Sequence, residues 1–210
     1  MSVSSPGEVT APFSDRLSSA FEDLRQGKPV LVADNVNREG EVDVVLAADR
    51  ASEQWVGWLV RHTSGFICAP MSAELADHLK LPLMVEDNQD SLRTAYTIST
   101  DAASGVTTGI SAADRARTLR VLGNPQSGPG DLIRPGHILP LRAHPGGISA
   151  RPGHTEAALE LVREAGAGEV AVIAELVHDS GRLLSFPEAR RLAADSGLAY
   201  LSIDELLNET

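Results

Sequence analysis

The sequence predicts a single α+β domain, a mixed β-sheet covered by helices in a three-layer α/β/α arrangement. Two observations carry the prediction. Apolar runs of strand length (residues 30–33, 44–48 and VAVIAELV at 170–177) are interspersed with stretches of helical period, but not in the strict βαβα order of a doubly wound sheet. No internal repeat and no compositional break marks a linker between two units. Residues 1–12 hold Ser, Pro and Gly without a basic-then-apolar leader pattern and read as a flexible N-terminal arm, leaving 13–210 for the domain.

In chain order, Phe13, Leu17, Ala20, Phe21 and Leu24 recur at helical spacing, and Gly27 ends that run. Residues 29–33 form the first strand, 34–41 a loop and 43–48 the next strand. Ser52 caps a helix through about His62, with Trp55, Val56, Leu59 and Val60 inward. Residues 65–69 form a short strand carrying Cys68, and Ser72 caps a further helix. The Thr/Tyr/Ile alternation over 94–99 is β-type, and 101–109 is a Gly/Thr/Ser loop. Ser111 opens a helix in which Ser111-x-x-Asp114 resembles a capping box. Residues 123–136 and 145–153 are glycine- and proline-rich loops flanking a strand at 137–141. A helix over 155–165, a strand over 169–177, a turn at 179–181, a helix over 187–196, a strand at 199–202 and a last helical turn at 204–208 complete the chain.

The 210 residues are 42% hydrophobic and 22% charged, enough for an ordinary core. The formal net charge of −11 argues against a nucleic-acid or anionic-membrane partner, and there is no apolar run long enough to span a bilayer. The single cysteine, Cys68, excludes an intrachain disulfide and fits a cytoplasmic setting. There is no GxxxxGK[ST], GxGxxG after a strand, CxxC, HExxH or GxSxG, so no nucleotide cofactor is indicated.

Four clusters carry candidate chemistry. In Arg38-Glu39-Gly40-Glu41-Val42-Asp43, three carboxylates and a guanidinium fall between two strands, and in extended backbone the carboxylates point to one side. That suits a hard divalent cation or a polyhydroxylated ligand, although a solvated turn has the same composition. Arg151-Pro152-Gly153-His154-Thr155 lies at a helix start, where free amides, a guanidinium and a hydroxyl suit a phosphate and His154 suits a metal. Glu175 lies inside an apolar run, where a carboxylate is either paired or poised for chemistry. His137 follows a Pro-Gly pair at a strand edge, a place where histidine is more often structural than a general acid or base. Thr108 lies on the flexible loop 105–109. Cys68 is as consistent with a small buried hydrophobe as with a reactive group. Arg115, Arg117 and Arg120 read as a solvated helix face.

Together these motifs resemble 3,4-dihydroxy-2-butanone 4-phosphate synthase. The matching segments are REGEVD (38–43), RHTSGFIC (61–68), GVTTGISAADRARTLR (105–120), RPGHILPLRA (134–143), RPGHTEAALEL (151–161) and AELVHDSG (174–181). The approach Asn35-Val36-Asn37 departs from the acidic run common in bacterial members. The resemblance implies conversion of D-ribulose 5-phosphate to 3,4-dihydroxy-2-butanone 4-phosphate and formate in riboflavin biosynthesis. It implies Mg²⁺ or Mn²⁺, no organic cofactor, and a homodimer with active sites at the subunit interface. The length implies the single-function form, without a GTP cyclohydrolase II domain. By the resemblance Glu39 and His154 are metal ligands. Arg38, Glu39, Asp43, Thr108, Arg151, Pro152, Gly153, His154, Thr155 and Glu175 contact substrate. His137 and Glu175 are catalytic, and Glu41 and Cys68 are further candidates. Two rival readings share these residues: a related enzyme acting on another sugar phosphate, and a non-catalytic binder of metal and phosphate.

Overall fold

The computed structural model describes residues 11–209, so the first ten residues of the expected arm lie outside the described residues. Seven strands form one sheet: β1 (Val30–Ala33), β2 (Val42–Ala47), β3 (Cys68–Met71), β4 (Thr100–Ala102), β5 (Leu132–Arg142), β6 (Ala171–Glu175) and β7 (Ala199–Ser202). Their spatial order is β4-β5-β3-β6-β2-β1-β7. The β1/β7 and β3/β5 pairs are parallel and the others antiparallel, so the sheet is mixed, as expected.

The helices are α1 (Phe13–Arg25), α2 (Glu53–His62), α3 (Ala73–His78), α4 (Ala112–Gly123), α5 (Gly147–Ala150), α6 (His154–Glu164), α7 (Phe186–Ser196) and α8 (Ile203–Glu209). Strand alternation distributes the core to two faces. Leu31, Val44 and Leu46 pack with Val56 and Leu59 of α2, Leu119 and Leu122 of α4, and Ala189 of α7. Val30, Val32, Val45 and Ala47 pack with Leu24 of α1, Ala157 and Leu161 of α6, and Ile203 of α8. Two apolar clusters on opposite sides of one sheet make the three-layer α/β/α arrangement.

Local signals place most helix starts. Ser52, Ser72 and Ser111 each accept a hydrogen bond from the amide three residues on, at 3.2, 3.1 and 3.1 Å. Gly197 closes α7 in the left-handed region at φ 62°. The capping-box expectation at Ser111 holds by half, because the Asp114 carboxylate turns away to Thr107 and Gly109.

Other expectations need correction. Residues 94–99 form no strand; they make isolated bridges from Thr97 to Leu83 and from Tyr96 to Leu141. Thr97 is fully buried, with its amide and hydroxyl both bonded to the Pro140 carbonyl, so the alternation there reports burial and not a ladder. The expected loop 123–136 is strand from Leu132 onward. Asp101 pairs with Ile133 and Thr100 with Ile138, so residues 134–137 bulge between paired positions. That pairing partner is remote in sequence, and a Pro-Gly pair conceals it locally. The arginines of α4 are not a solvated face: Arg115 is buried and donates to the Gly65 carbonyl, and Arg120 donates to that of Ala51.

Leu46 is fully buried in β2, next to the strand pair that carries the acidic residues described below. Leu46→Ala is expected to lower the free energy of unfolding by about 2–5 kcal/mol, read from the midpoint of urea denaturation.

Candidate active site

The loop between β1 and β2 is built around Asp34. Its carboxylate accepts from the amides of Gly40 (3.0 Å) and Glu39 (3.3 Å) and from the Arg38 guanidinium (2.9 Å). This hairpin of bonds turns Glu39 inward, where Arg38 also holds it at 2.5 Å. The neutral approach residues serve the same turn: Asn35 accepts from the Asn37 amide and donates to Asp204 of α8, while Val36 is 71% exposed. The strand that follows carries Asp43, and the β2/β6 register sets Asp43 directly opposite Glu175. Two carboxylates at facing positions repel, so a proton or cation must lie close by.

The start of α6 supplies that complement. His154 is buried, and its Nε2 lies 3.1 Å from the Val32 carbonyl. Bonding to a carbonyl fixes Nε2 as the protonated nitrogen of the neutral ring. The other nitrogen, Nδ1, then faces Glu39 Oε2 at 3.6 Å and Asp43 Oδ1 at 3.7 Å. Asp43 Oδ1 is buried with no hydrogen-bond partner. Arg151 reaches back to Glu156 Oε2 (2.7 Å) and to the Leu92 carbonyl and Thr94 hydroxyl, both at 3.2 Å. Gly153 occupies the N-cap position of α6 with no side-chain cap, which leaves first-turn amides for an anion. A Cβ there would come within 2.6 Å of Arg151 and 2.9 Å of Arg38, so both guanidinium groups converge on this glycine. Arg38, Glu39, Glu41, Asp43, Cys68, Thr94, Tyr96, Arg151, His154, Thr155 and Glu175 line one cleft, with Leu141 and Ile173 as its apolar wall. A roomier cavity, about 440 Å³, lies between the start of α3 and α6 and is lined by none of the β2 or β6 carboxylates.

The electrostatics follow from this crowding. Burial, reinforced by Glu175, Glu41 and Glu39, raises Asp43 to about 7 despite the opposing pull of His154. Burial alone would lower His154, but the Asp43, Glu39 and Asp34 carboxylates outweigh it and raise the imidazole to about 9. Burial likewise opposes ionisation of Glu39, yet His154 and Arg38 hold it below the usual carboxylate range. Glu41 is raised by burial and by Glu175. Cys68 is pushed well up by burial, with Glu175 and Asp43 adding to it, which favours the neutral thiol on the cleft wall. The space between Nδ1 of His154 and the Glu39 and Asp43 carboxylates suits a metal ion. Asp34, Glu39 and His154 offer ligand atoms within 4.8 Å of one another. Of these Asp34 already accepts three hydrogen bonds from the loop it closes, so Glu39 and the Nδ1 of His154, with the orphaned oxygen of Asp43 behind them, are the less committed donors.

The structure thus brings together residues from three of the four clusters. His137 and Thr108 are not among the residues lining this cleft. His137 is paired with the buried Asp101, and Thr108 lies exposed on the adjacent loop. Pro152 is also exposed. Sequence reasoning missed Asp34, Thr94, Tyr96 and Asp101 and the role of Glu156. It also missed Ser64, whose hydroxyl donates to Glu175 at 2.5 Å. The RPGHTE run contained Glu156, but nothing local marks the others.

Residues 18–209 match the family model described as 3,4-dihydroxy-2-butanone 4-phosphate synthase. The chain belongs to this synthase family. Among curated relatives, it is 48% identical over 191 residues to the riboflavin biosynthesis protein RibBA of Salinispora arenicola, covering 91% of this chain and 46% of that protein. It is 47% identical over 195 residues to the RibBA of Nocardia farcinica, covering 92% and 47%. The chain therefore spans about half the length of the curated relatives it matches. Among solved structures, a 3,4-dihydroxy-2-butanone 4-phosphate synthase in complex with two magnesium ions is 40% identical with a TM-score of 0.88, covering 92% of this chain and 95% of the other. The synthase of Candida albicans is 42% identical with a TM-score of 0.84, covering 92% and 96%.

The raised values of Asp43 and His154 have a measurable consequence in this synthase-family chain. Both groups bind protons more tightly folded than unfolded, so their contribution to stability is present at low pH. It is lost as pH rises through about 7 for Asp43 and about 9 for His154. In chelator-treated protein, the free energy of unfolding attributable to the cluster is expected to fall by roughly 1–3 kcal/mol between pH 6 and 9. The paired variant Asp43→Asn/His154→Gln should flatten that slope in urea titrations.

Proposed function

We propose that the chain converts D-ribulose 5-phosphate into 3,4-dihydroxy-2-butanone 4-phosphate and formate, a step of riboflavin biosynthesis. The observation that carries this reading is the single cleft joining the Asp43–Glu175 pair, the Nδ1 of His154 and the two arginines that converge on Gly153. One end suits a polyol and a hard cation, the other a phosphate.

Arg38, Arg151 and the start of α6 hold the phosphate and thereby fix the distance of the reacting carbons from the carboxylates. Glu39 and His154 would hold a divalent cation, Mg²⁺ or Mn²⁺, whose Lewis acidity polarises the sugar's carbonyl and adjacent hydroxyl oxygens. Asp43, with its unpartnered Oδ1, binds a sugar hydroxyl. Glu175 takes the proton next to the ketone, and the Ser64 hydroxyl orients its carboxylate. The enediolate so formed loses water and the skeleton rearranges by a 1,2-shift; a water molecule then adds to the carbon that leaves as formate, so the water lost is returned and the products balance the substrate. His137 serves as the second proton-transfer group, with Thr108 beside it on the substrate.

His137 and Thr108 lie outside the cleft of their own chain, which favours a homodimer in which a second copy completes each site. Exposed apolar side chains flank them: Ile110 and Ile133 beside the Asp101–His137 pair, and Leu83, Met84 and Val85 on the loop ahead of Tyr96. A cytoplasmic location accords with the single, buried, free cysteine. No helix among the described residues is long and apolar enough to cross a membrane.

Incubation with ribulose 5-phosphate and Mg²⁺ should release formate. Glu175→Gln and His154→Ala should each lower turnover by at least about 100-fold while leaving the circular-dichroism melt cooperative. Formate at the level of the Glu175→Gln control would reject the synthase reading in favour of a relative acting on another sugar phosphate or a non-catalytic binder. Light scattering should give the mass of two chains. Co-expression of His137→Gln with Glu175→Gln should restore about a quarter of wild-type activity, because half the dimers carry one intact site. A monomer mass or no restoration would contradict the shared site.

A further inference from the structure

The Asp101–His137 pair is built with more care than an exposed histidine needs. Asp101 is 3% exposed, and its carboxylate makes two bonds to the same residue. Oδ1 accepts from the His137 main-chain amide at 2.9 Å, and Oδ2 lies 2.6 Å from the ring Nδ1. The imidazole is 38% exposed in its side chain, so the fixed edge is Nδ1 and the presented edge is Nε2. The bulge at 134–137 brings this about, since it lets His137 fold back beside Asp101 while Ile133 and Ile138 keep the ladder.

A second device seats the pair. Gly109 has φ +94°, and a Cβ there would overlap Asp101 Oδ2 and come within 2.6 Å of His137 Nδ1. The loop bearing Gly109 is clamped by Asp114 at the start of α4. That carboxylate accepts from the Thr107 amide (3.1 Å), the Thr107 hydroxyl (2.6 Å) and the Gly109 amide (3.1 Å). The Thr107 hydroxyl foremost holds the Asp114 carboxyl below its ordinary value, keeping it a full acceptor.

We propose that Asp101 is a positioning residue for the reaction: it locks His137 in the tautomer with hydrogen on Nδ1 and presents Nε2 as the proton-accepting atom, with Gly109 and Asp114 holding the loop that closes over the pair. The proposal rests on the reading of His137 as a proton-transfer group. A carboxylate facing Nδ1 cannot donate, so the neutral ring must carry its hydrogen there and its lone pair on Nε2. The main-chain bond to Oδ1 removes the remaining freedom, because it fixes which way the carboxylate plane faces. An aspartate on a three-residue strand with no local motif shows none of this in the sequence.

Asp101→Asn is the informative substitution. The amide oxygen can still accept from the His137 main-chain N–H, and its NH₂ then faces Nδ1. The ring is driven to carry hydrogen on Nε2, with shape and packing preserved. Nitrogen-15 spectra of histidine-labelled protein, followed upward in pH until they stop changing, assign His137 by its loss in His137→Gln. The wild type should show Nδ1 protonated and Nε2 bare, and Asp101→Asn should show the reverse. Formate turnover of Asp101→Asn should fall by about 100-fold or more in kcat, with KM within about threefold. A wild-type ring protonated on Nε2 overturns the proposal without any variant. So does a kcat in Asp101→Asn equal to wild type, or a loss of kcat with the tautomer unchanged. Full turnover in His137→Gln would instead reject the underlying role of His137, and the proposal with it.

Discussion

The register between β2 and β6 is the constraint on which the site depends. It sets Asp43 opposite Glu175 at the ends of two strands, with Asp43 buried and Glu175 half-buried. Two facing carboxylates in that position need positive charge brought to them, and the surrounding residues are arranged to supply it. His154 enters from the start of α6 with its Nδ1 edge toward Glu39 and Asp43, and Arg38 stands across the two acids of its own loop. Cation chemistry follows from the same crowding. A proton or a divalent cation placed among these acids would balance the same charge.

The rest of the fold keeps that register from slipping. Both faces of β2 are buried, Val44 and Leu46 toward α2 and α4, and Val45 and Ala47 toward α6. A shift of one residue would exchange the two sets and turn the acids to the wrong side. The carbonyl of Val32, one strand over, receives Nε2 of His154, so the helix that carries the imidazole is tied to the sheet that carries the carboxylates. Glu156 extends the same tie outward: it receives Arg151 and the amide of His144, joining the arginine end of the cleft to the turn after β5.

Much of this was legible locally. The serine caps of α2, α3 and α4 and the glycine closing α7 appear where short-range chemistry requires them. The uniform burial of β1 and β2 is readable from their apolar runs. Glu175 stood out because a carboxylate inside VAVIAELV has no bland explanation. The failures share one cause. Residues 94–99 look like a strand because Thr97 is buried by a remote carbonyl. Residues 132–136 look like a loop because their partner strand, β4, is three residues long and some thirty positions away. The arginines of α4 look solvated because their acceptors, the carbonyls of Gly65 and Ala51, belong to the neighbouring α2 layer.

The amino-acid sequence by itself determined the fold class, the family and the chemical identity of the cleft, since acids, histidine and arginines at these spacings carry their meaning in residue type. Only the tertiary structure decided which of them meet. It joined residues 38–43 to 151–155 and 175, left His137 and Thr108 on a separate part of the sheet, and gave His137 its own aspartate. Hydrogen-bond direction and strand register are properties of pairs distant in the chain, and a single residue's type records neither.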